Sequence, residues 1–313
     1  MSLTGSTRTL TTVGGEQSPR RGRGIRSLER SNVSDADLSK RSVRWGYRAI
    51  MGAAIALLLL ISAGPLLWLA KAAVSTTQDI LREPFAFWPS GIQWENIPDA
   101  WNQIQIGRFT LNSVILTSGE VLVAVFAAVT LGYVLAVLRP VYGPVLNGAI
   151  MATLFIPGVI SLIPLYLTVI DLGLLDSYWA VWLPNGVSAF NVLIMKQYFQ
   201  TIPRELFEAA RVDGAGPVRI LWSIVLPMAR PIIGVVALLA FVASWKDFLW
   251  PLLALPTPGK QPLSVGLSTV APQAELAVLM AGMFIAVLIP IAVFTVFQKQ
   301  FITGAGSAGA VKG

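Results

Sequence analysis

Leu111-Asn-Ser-Val-Ile-Leu-Thr-Ser-Gly-Glu-Val-Leu-Val-Ala-Val-Phe-Ala-Ala-Val-Thr-Leu-Gly-Tyr-Val-Leu-Ala-Val-Leu138 holds a single charged residue, Glu120, in 28 positions. As a helix it would rise about 42 Å, more than the roughly 30 Å of a bilayer's hydrocarbon core. Working outward, comparable apolar runs fall at about 49–74, 146–170, 178–195, 231–255 and 275–297. With the quoted stretch they predict an all-α protein of six transmembrane helices. Ala70-Lys71-Ala72 imitates a signal-peptidase site, but the apolar run before it is too long for a signal peptide, so it reads as a retained first span. The 313 residues are 55% hydrophobic and only 12% charged, with a mean hydropathy of +0.68. A soluble domain carries about twice that charge, so a soluble enzyme is excluded. With 0 Cys and 0 His, disulfides, thiol chemistry and imidazole bases or ligands are excluded too. The 16 acids are dispersed, and no metal site is expected.

Residues 1–48 form a polar tail with ten basic residues against four acids. It lacks the apolar surface needed to offset ordering, so it reads as a disordered basic cytoplasmic tail preceding a transmembrane domain over 49–313. Anionic lipid is a reasonable contact for this tail; nucleic acid is not expected, because no aromatics are interleaved before Trp45. With the N-terminus inside, the inner segments hold 18 Lys and Arg and the outer segments hold 3. That bias places both termini in the cytoplasm. The outer loop 75–110 carries Trp88, Trp94 and Trp101, suited to the membrane boundary. Gly132, Pro157, Gly158, Pro164 and Pro290 lie within the spans, where kinks and close helix packing explain them.

One long inner segment stands out: Thr201-Ile-Pro-Arg-Glu-Leu-Phe-Glu-Ala-Ala-Arg-Val-Asp-Gly-Ala-Gly-Pro-Val-Arg-Ile-Leu-Trp-Ser-Ile-Val-Leu-Pro227. Thr201 suits an N-cap, Pro203 a first turn, and Gly214 a left-handed helix end. A second short helix would open at Pro217 and stop near Pro227. Ala209 and Ala210 leave one surface without bulk, and Arg204, Glu205, Glu208 and Arg211 charge it. Such a corner suits a cleft on a partner.

Glu208-Ala209-Ala210, Asp213-Gly214-Ala215, then Ile224 and Leu226-Pro227, resemble the EAA loop of binding-protein-dependent ABC importer permeases. In that family the loop 201–227 would be a coupling helix docking on a cytoplasmic ATPase. The likeness implies coupling residues Glu205, Glu208, Ala209, Ala210, Asp213, Gly214, Ala215, Leu226 and Pro227. Phe109-Thr-Leu-Asn112-Ser113 and Ser244-Trp-Lys-Asp-Phe-Leu-Trp-Pro-Leu252 resemble segments of carbohydrate-type permeases. The end, Gln300 to Gly313, is similar to the Gly-rich terminus of the maltose-type second subunit. Together these imply the type I ABC importer permease fold in a bacterial cytoplasmic (inner) membrane. They also imply a second permease subunit, two ATPase subunits that bind ATP and Mg, and an extracytoplasmic sugar-binding protein. No catalytic residue and no cofactor is expected on this chain, which lacks a phosphate-binding Gly-x-x-x-x-Gly-Lys loop.

Charges inside spans are costly and point to function first. Asn112, Lys246 and Asp247 are the candidate pathway residues, with Glu120 a weaker one. Lys246 stands where the family usually has Asn, and snorkelling to the surface is its structural alternative. Gly304, Gly306, Gly309 and Gly313 suggest a flexible strand able to thread a crevice between ATPases, or a simple disordered end. A secondary carrier driven by an ion gradient is the alternative function. It would want paired intramembrane acids or inverted repeats, which are not evident. A membrane-embedded enzyme is disfavoured by the lack of His, Cys or clustered carboxylates.

Overall fold

The computed structural model describes residues 41–309, and no strand occurs among them. The basic tail up to Lys40 and the residues after Gly309 lie outside the described residues. Helix α1 spans Arg41–Ala73, so helical structure begins ahead of the boundary expected at residue 49. The chain divides into two compact units after Ile61. In the first, side chains from Trp45 to Ile61 are exposed although mostly apolar, a surface that water would penalise.

The second unit begins within the same helix at Ser62. Two short helices follow, α2 (Thr77–Arg82) and α3 (Asn96–Asn102). Thr76 caps α2, its Oγ1 accepting from the Asp79 N–H at 3.1 Å, as an N-cap should. Helix α4 (Ile106–Tyr133) runs on through a π turn at Val134–Leu138. Helices α5 (Gly143–Thr153) and α6 (Leu162–Asp171) are separated by a break containing Pro157. Then come α7 (Trp179–Gly186), α8 (Ala189–Gln200), α9 (Arg204–Val212), α10 (Pro217–Ile220) and α11 (Leu226–Met228). The chain closes with α12 (Arg230–Lys246), α13 (Leu249–Ala254), α14 (Leu263–Val270) and α15 (Leu276–Gly309).

Three helical stretches, Trp45–Ala73, Ile106–Leu138 and Leu276–Gln298, are long and apolar enough to cross a membrane. Two bent pairs, 143–153 with 158–171 and 217–228 with 230–246, raise the number to five if each is one span. Six continuous helices are therefore not what the backbone shows. The first pair turns by 100°. Pro157 lacks an N–H and drives the residue before it away from helical angles, which breaks the run. The run expected over 178–195 is likewise two helices, because Val187 (ψ 91°) and Ser188 (ψ 123°) are extended. That over 231–255 is interrupted at Asp247, whose ψ is 131°.

The Gly-rich end also departs from expectation as far as Gly309, since residues 300–309 continue α15 instead of forming a loose strand. A preformed helix propagates without a new nucleation cost, which outweighs the modest penalty of each glycine.

The largest core gathers Ala128, Tyr133, Val137, Met195, Phe199, Phe207, Val225 and Val236, so it joins α4, α8, α9 and α12. Gly132 allows the close approach this requires. A Cβ there would lie 3.1 Å from the Lys196 backbone nitrogen and the Met195 side chain. The packing role expected for Gly132 thus has a concrete partner, α8.

Candidate functional site

The 201–227 segment folds as a corner, and its chemistry starts at the end of α9. Asp213 is the last half-helical residue and Gly214 takes φ +77°. The Ala215 N–H donates to the Ala210 carbonyl at 2.9 Å, and the Gly214 N–H to that of Arg211 at 3.0 Å. These paired bonds are a Schellman motif, which satisfies carbonyls the helix end would leave unpaired. Only a residue without Cβ holds that left-handed angle cheaply. Gly214 therefore sits where the sequence required it.

The entry differs from the sequence reading. Thr201 ends α8, its hydroxyl donating to the Tyr198 carbonyl at 2.7 Å, while Pro203 occupies the N-cap of α9. A short threonine hydroxyl reaches back one turn readily, so it terminates a helix here instead of starting one. The exit differs too. Pro227 lies within α11, and the helical path stops at Ala229, where it bends by 80° into α12. A π turn over Leu221–Val225 precedes Pro227. Its wider loop leaves room for a proline ring that would clash in a regular helix.

Packing sorts the residues expected to couple into two sets. Glu205, Glu208, Ala209, Asp213 and Gly214 are exposed, forming a small-residue surface edged by charge. Ala210, Ala215 and Leu226 are half-buried and pack on the core instead, while Pro227 is exposed. Phe207, only 6% exposed, anchors α9 in that core. Filling its site is worth roughly 2–3 kcal/mol. Two tethers are not legible in the sequence. The Tyr133 hydroxyl donates to the Pro217 carbonyl at 2.8 Å, and the Tyr198 hydroxyl to the Met228 carbonyl at 2.8 Å. Nothing in their spacing announces partners so distant in the chain. Beside α9 lies a cavity of about 170 Å³ lined by Arg139, Arg204, Phe207, Glu208 and Arg211, among others.

The candidate pathway residues do not form one group. Asn112 is buried, its amide donating at 2.9 Å to both the Gly259 and Gln261 carbonyls, and its oxygen accepting from Tyr178. It staples the 256–262 loop to α4. Lys246 is exposed, whereas Asp247 is half-buried and accepts from the Asn185 amide at 2.9 Å. Asn185, beside Pro184, is a polar residue in an apolar run, and that contrast is the sequence signal of its role. Glu120, 4% exposed, has one oxygen with no partner among the described residues. One turn away, the Thr117 hydroxyl accepts from Ser244 at 3.2 Å. A polar seam of Thr117, Glu120, Asn185, Ser244 and Asp247 thus links α4, α7 and α12.

At the opposite end from the corner, Asp176 (φ +60°) accepts from Lys260 at 2.8 Å and from the Thr257 hydroxyl at 2.9 Å. These donors, Lys260 first, hold its carboxyl below the ordinary value. Among the described residues no group of His, Cys, Asp or Glu is arranged to hold a metal ion.

Residues 128–302 match the model of the binding-protein-dependent transport system inner membrane component family. Protein LplC of Bacillus subtilis (strain 168) is 33% identical, over 80% of this chain and 89% of its own length. The sn-glycerol-3-phosphate transport system permease protein UgpE of Yersinia pestis bv. Antiqua (strain Antiqua) is 29% identical, over 74% and 86%. The diacetylchitobiose uptake system permease protein NgcG of Streptomyces coelicolor is 29% identical, over 84% and 88%. A chain from the crystal structure of a bacterial ABC transporter that imports the acidic polysaccharide alginate superposes with a TM-score of 0.76 at 24% identity. That superposition covers 84% of this chain and 98% of the other, so the two share a fold.

Proposed function

This chain belongs to the family of binding-protein-dependent transport system inner membrane components, and on that premise we propose that it is one permease subunit of an ATP-driven carbohydrate importer. It would form half of the translocation pathway beside a second permease subunit. Two ATPase subunits would bind ATP and Mg and supply the energy, and an extracytoplasmic sugar-binding protein would deliver the solute. The chain itself would be non-catalytic, with both termini cytoplasmic and its spans in the bacterial inner membrane.

The observation that carries the reading is the Schellman corner at Asp213–Ala215. It presents Glu205, Glu208 and Ala209 outward while Phe207 fixes α9 to the core. A rigid, exposed corner bonded to the ends of α4 and α8 suits transmission of a push from an ATPase to the spans. ATP binding would then shift the pathway between two states by its differential affinity for them. A carbohydrate as solute is supported by the likeness to NgcG, of a diacetylchitobiose uptake system, and to the alginate importer, with UgpE adding a polyol phosphate. The seam of Glu120, Asn185, Ser244 and Asp247 would offer hydroxyl-binding groups along that path.

The test is uptake in proteoliposomes containing the whole importer. Vanadate should stop it, and collapsing the ion gradient at constant ATP should not. The reverse pattern would assign a secondary carrier instead.

A further inference from the structure

We propose that the recess between the end of α4 and the start of α5 binds the headgroup of an anionic phospholipid. The recess encloses about 440 Å³ and is lined by Arg139, Val141, Asn147 and Lys196, with no acidic side chain in its wall. Its two cations are already positioned. The Arg139 Nε donates to the Ala136 carbonyl at 2.8 Å, and the Lys196 Nζ to the Asn147 Oδ1 at 2.7 Å. Neither forms an ion pair with a carboxylate among the described residues. The guanidinium keeps its terminal nitrogens for a planar, two-point grip, the geometry that suits a phosphodiester.

Two further observations favour lipid. Arg139 has φ +48°, a left-handed backbone that a residue bearing a side chain adopts at a cost. Such outliers are kept where the position of the side chain matters. The neighbouring turn is apolar and uncovered: Val141 is 100% exposed, and Tyr142 and Val145 are exposed beside it. An acyl chain would meet this surface, whereas a free anion would not. The recess lies at the end of the long apolar Ile106–Leu138 helix, where headgroups begin. With the proposed orientation this is the cytoplasmic leaflet. The inference rests on that orientation and not on which solute is carried. The smaller cavity beside α9 shares Arg139 and Gln200 with the recess, so the lipid would sit next to the corner.

The experiment uses the assembled importer in nanodiscs of phosphatidylcholine with a minor share of phosphatidylglycerol, counting retained lipids by native mass spectrometry. The wild type should retain phosphatidylglycerol preferentially. Arg139→Gly keeps the left-handed turn without the charge, and Lys196→Gln keeps a donor for Asn147. Each should lower retention about fivefold, the effect of one cation near an anionic surface. Equal retention in wild type and double variant, or no preference over phosphatidylcholine, would overturn the proposal. Displacement of phosphatidylglycerol by inorganic phosphate would make this a free-anion site and overturn it as a lipid site. Loss of ATPase subunits from the variants with unchanged lipid retention would assign the cations to a protein contact, and would also overturn it. Uptake by the wild type tests the transport reading separately.

Discussion

The hydroxyl of Tyr133, near the end of α4, donates a 2.8 Å hydrogen bond to the carbonyl of Pro217, the first residue of α10. The bond ties the second half of the corner to a helix long enough to cross the membrane, 84 positions away in the chain. Tyr198 repeats the device from α8 onto Met228. The acceptors lie in the corner and one residue past it, so displacement of the corner pulls on two helices at once.

Removing these hydroxyls tests whether the corner transmits force through them. Tyr133→Phe should cost about 1 kcal/mol locally, the net worth of one hydrogen bond. The subunit should still insert and still co-purify with the ATPases, because the ring stays in the core. Solute moved per ATP hydrolysed should fall, and fall further with Tyr198→Phe. An unchanged ratio in the double variant would show that the tethers are merely structural.

Gly214→Val places a β-branched side chain at φ +77° and should cost on the order of 1–2 kcal/mol in backbone strain. A Cβ there meets no neighbour within 4 Å in the subunit, so any larger defect must come from a partner surface. Glu208→Lys reverses an exposed charge on the same corner. Both variants should reach the membrane at normal abundance yet lose ATPase co-purification and uptake. Normal values for both would reduce 201–227 to a connecting loop.

The Asp176–Lys260–Thr257 cluster predicts an acid-sensitive contact. Because its carboxyl is held below the unfolded value of about 3.9, the cluster's contribution is complete above that pH. It is lost as pH falls through the depressed value. The Thr257 N–H donates to the same carboxylate at 3.2 Å, so its protection factor against hydrogen exchange should fall only at strongly acidic pH. In Asp176→Asn, which tolerates the left-handed backbone, the factor should be lower at all pH values and show no acid step. An acid step that survives in Asp176→Asn would assign it to another group.

Topology is testable without transport. A tag at Gly5 or Gly313 should react only from the cytoplasm, and a cysteine at Ser90 only from outside. Labelling of both ends from outside would end the N-in assignment.

The membrane class is legible in the amino-acid order alone, because long apolar runs admit few other environments. That order also locates the corner, because Gly214 answers a local requirement: a helix end needing a left-handed residue is legible within six positions, from Ala209 to Gly214. The family resemblance drawn on Glu208–Ala210 and Asp213–Ala215 agrees with the match over residues 128–302. Hydropathy could not say where apolar runs break. Pro157 announces its own bend, but the breaks at Val187 and Asp247 depend on neighbouring helices that compensate interrupted backbone bonding, and composition does not register them. What each polar residue does follows from the packed fold. Asn112, singled out as a pathway candidate, spends its amide on the carbonyls of Gly259 and Gln261, whereas Asn185 meets Asp247 across 62 positions. A hydrogen bond is decided within about 3 Å, and helices packed in three dimensions bring together side chains that no sequence period relates.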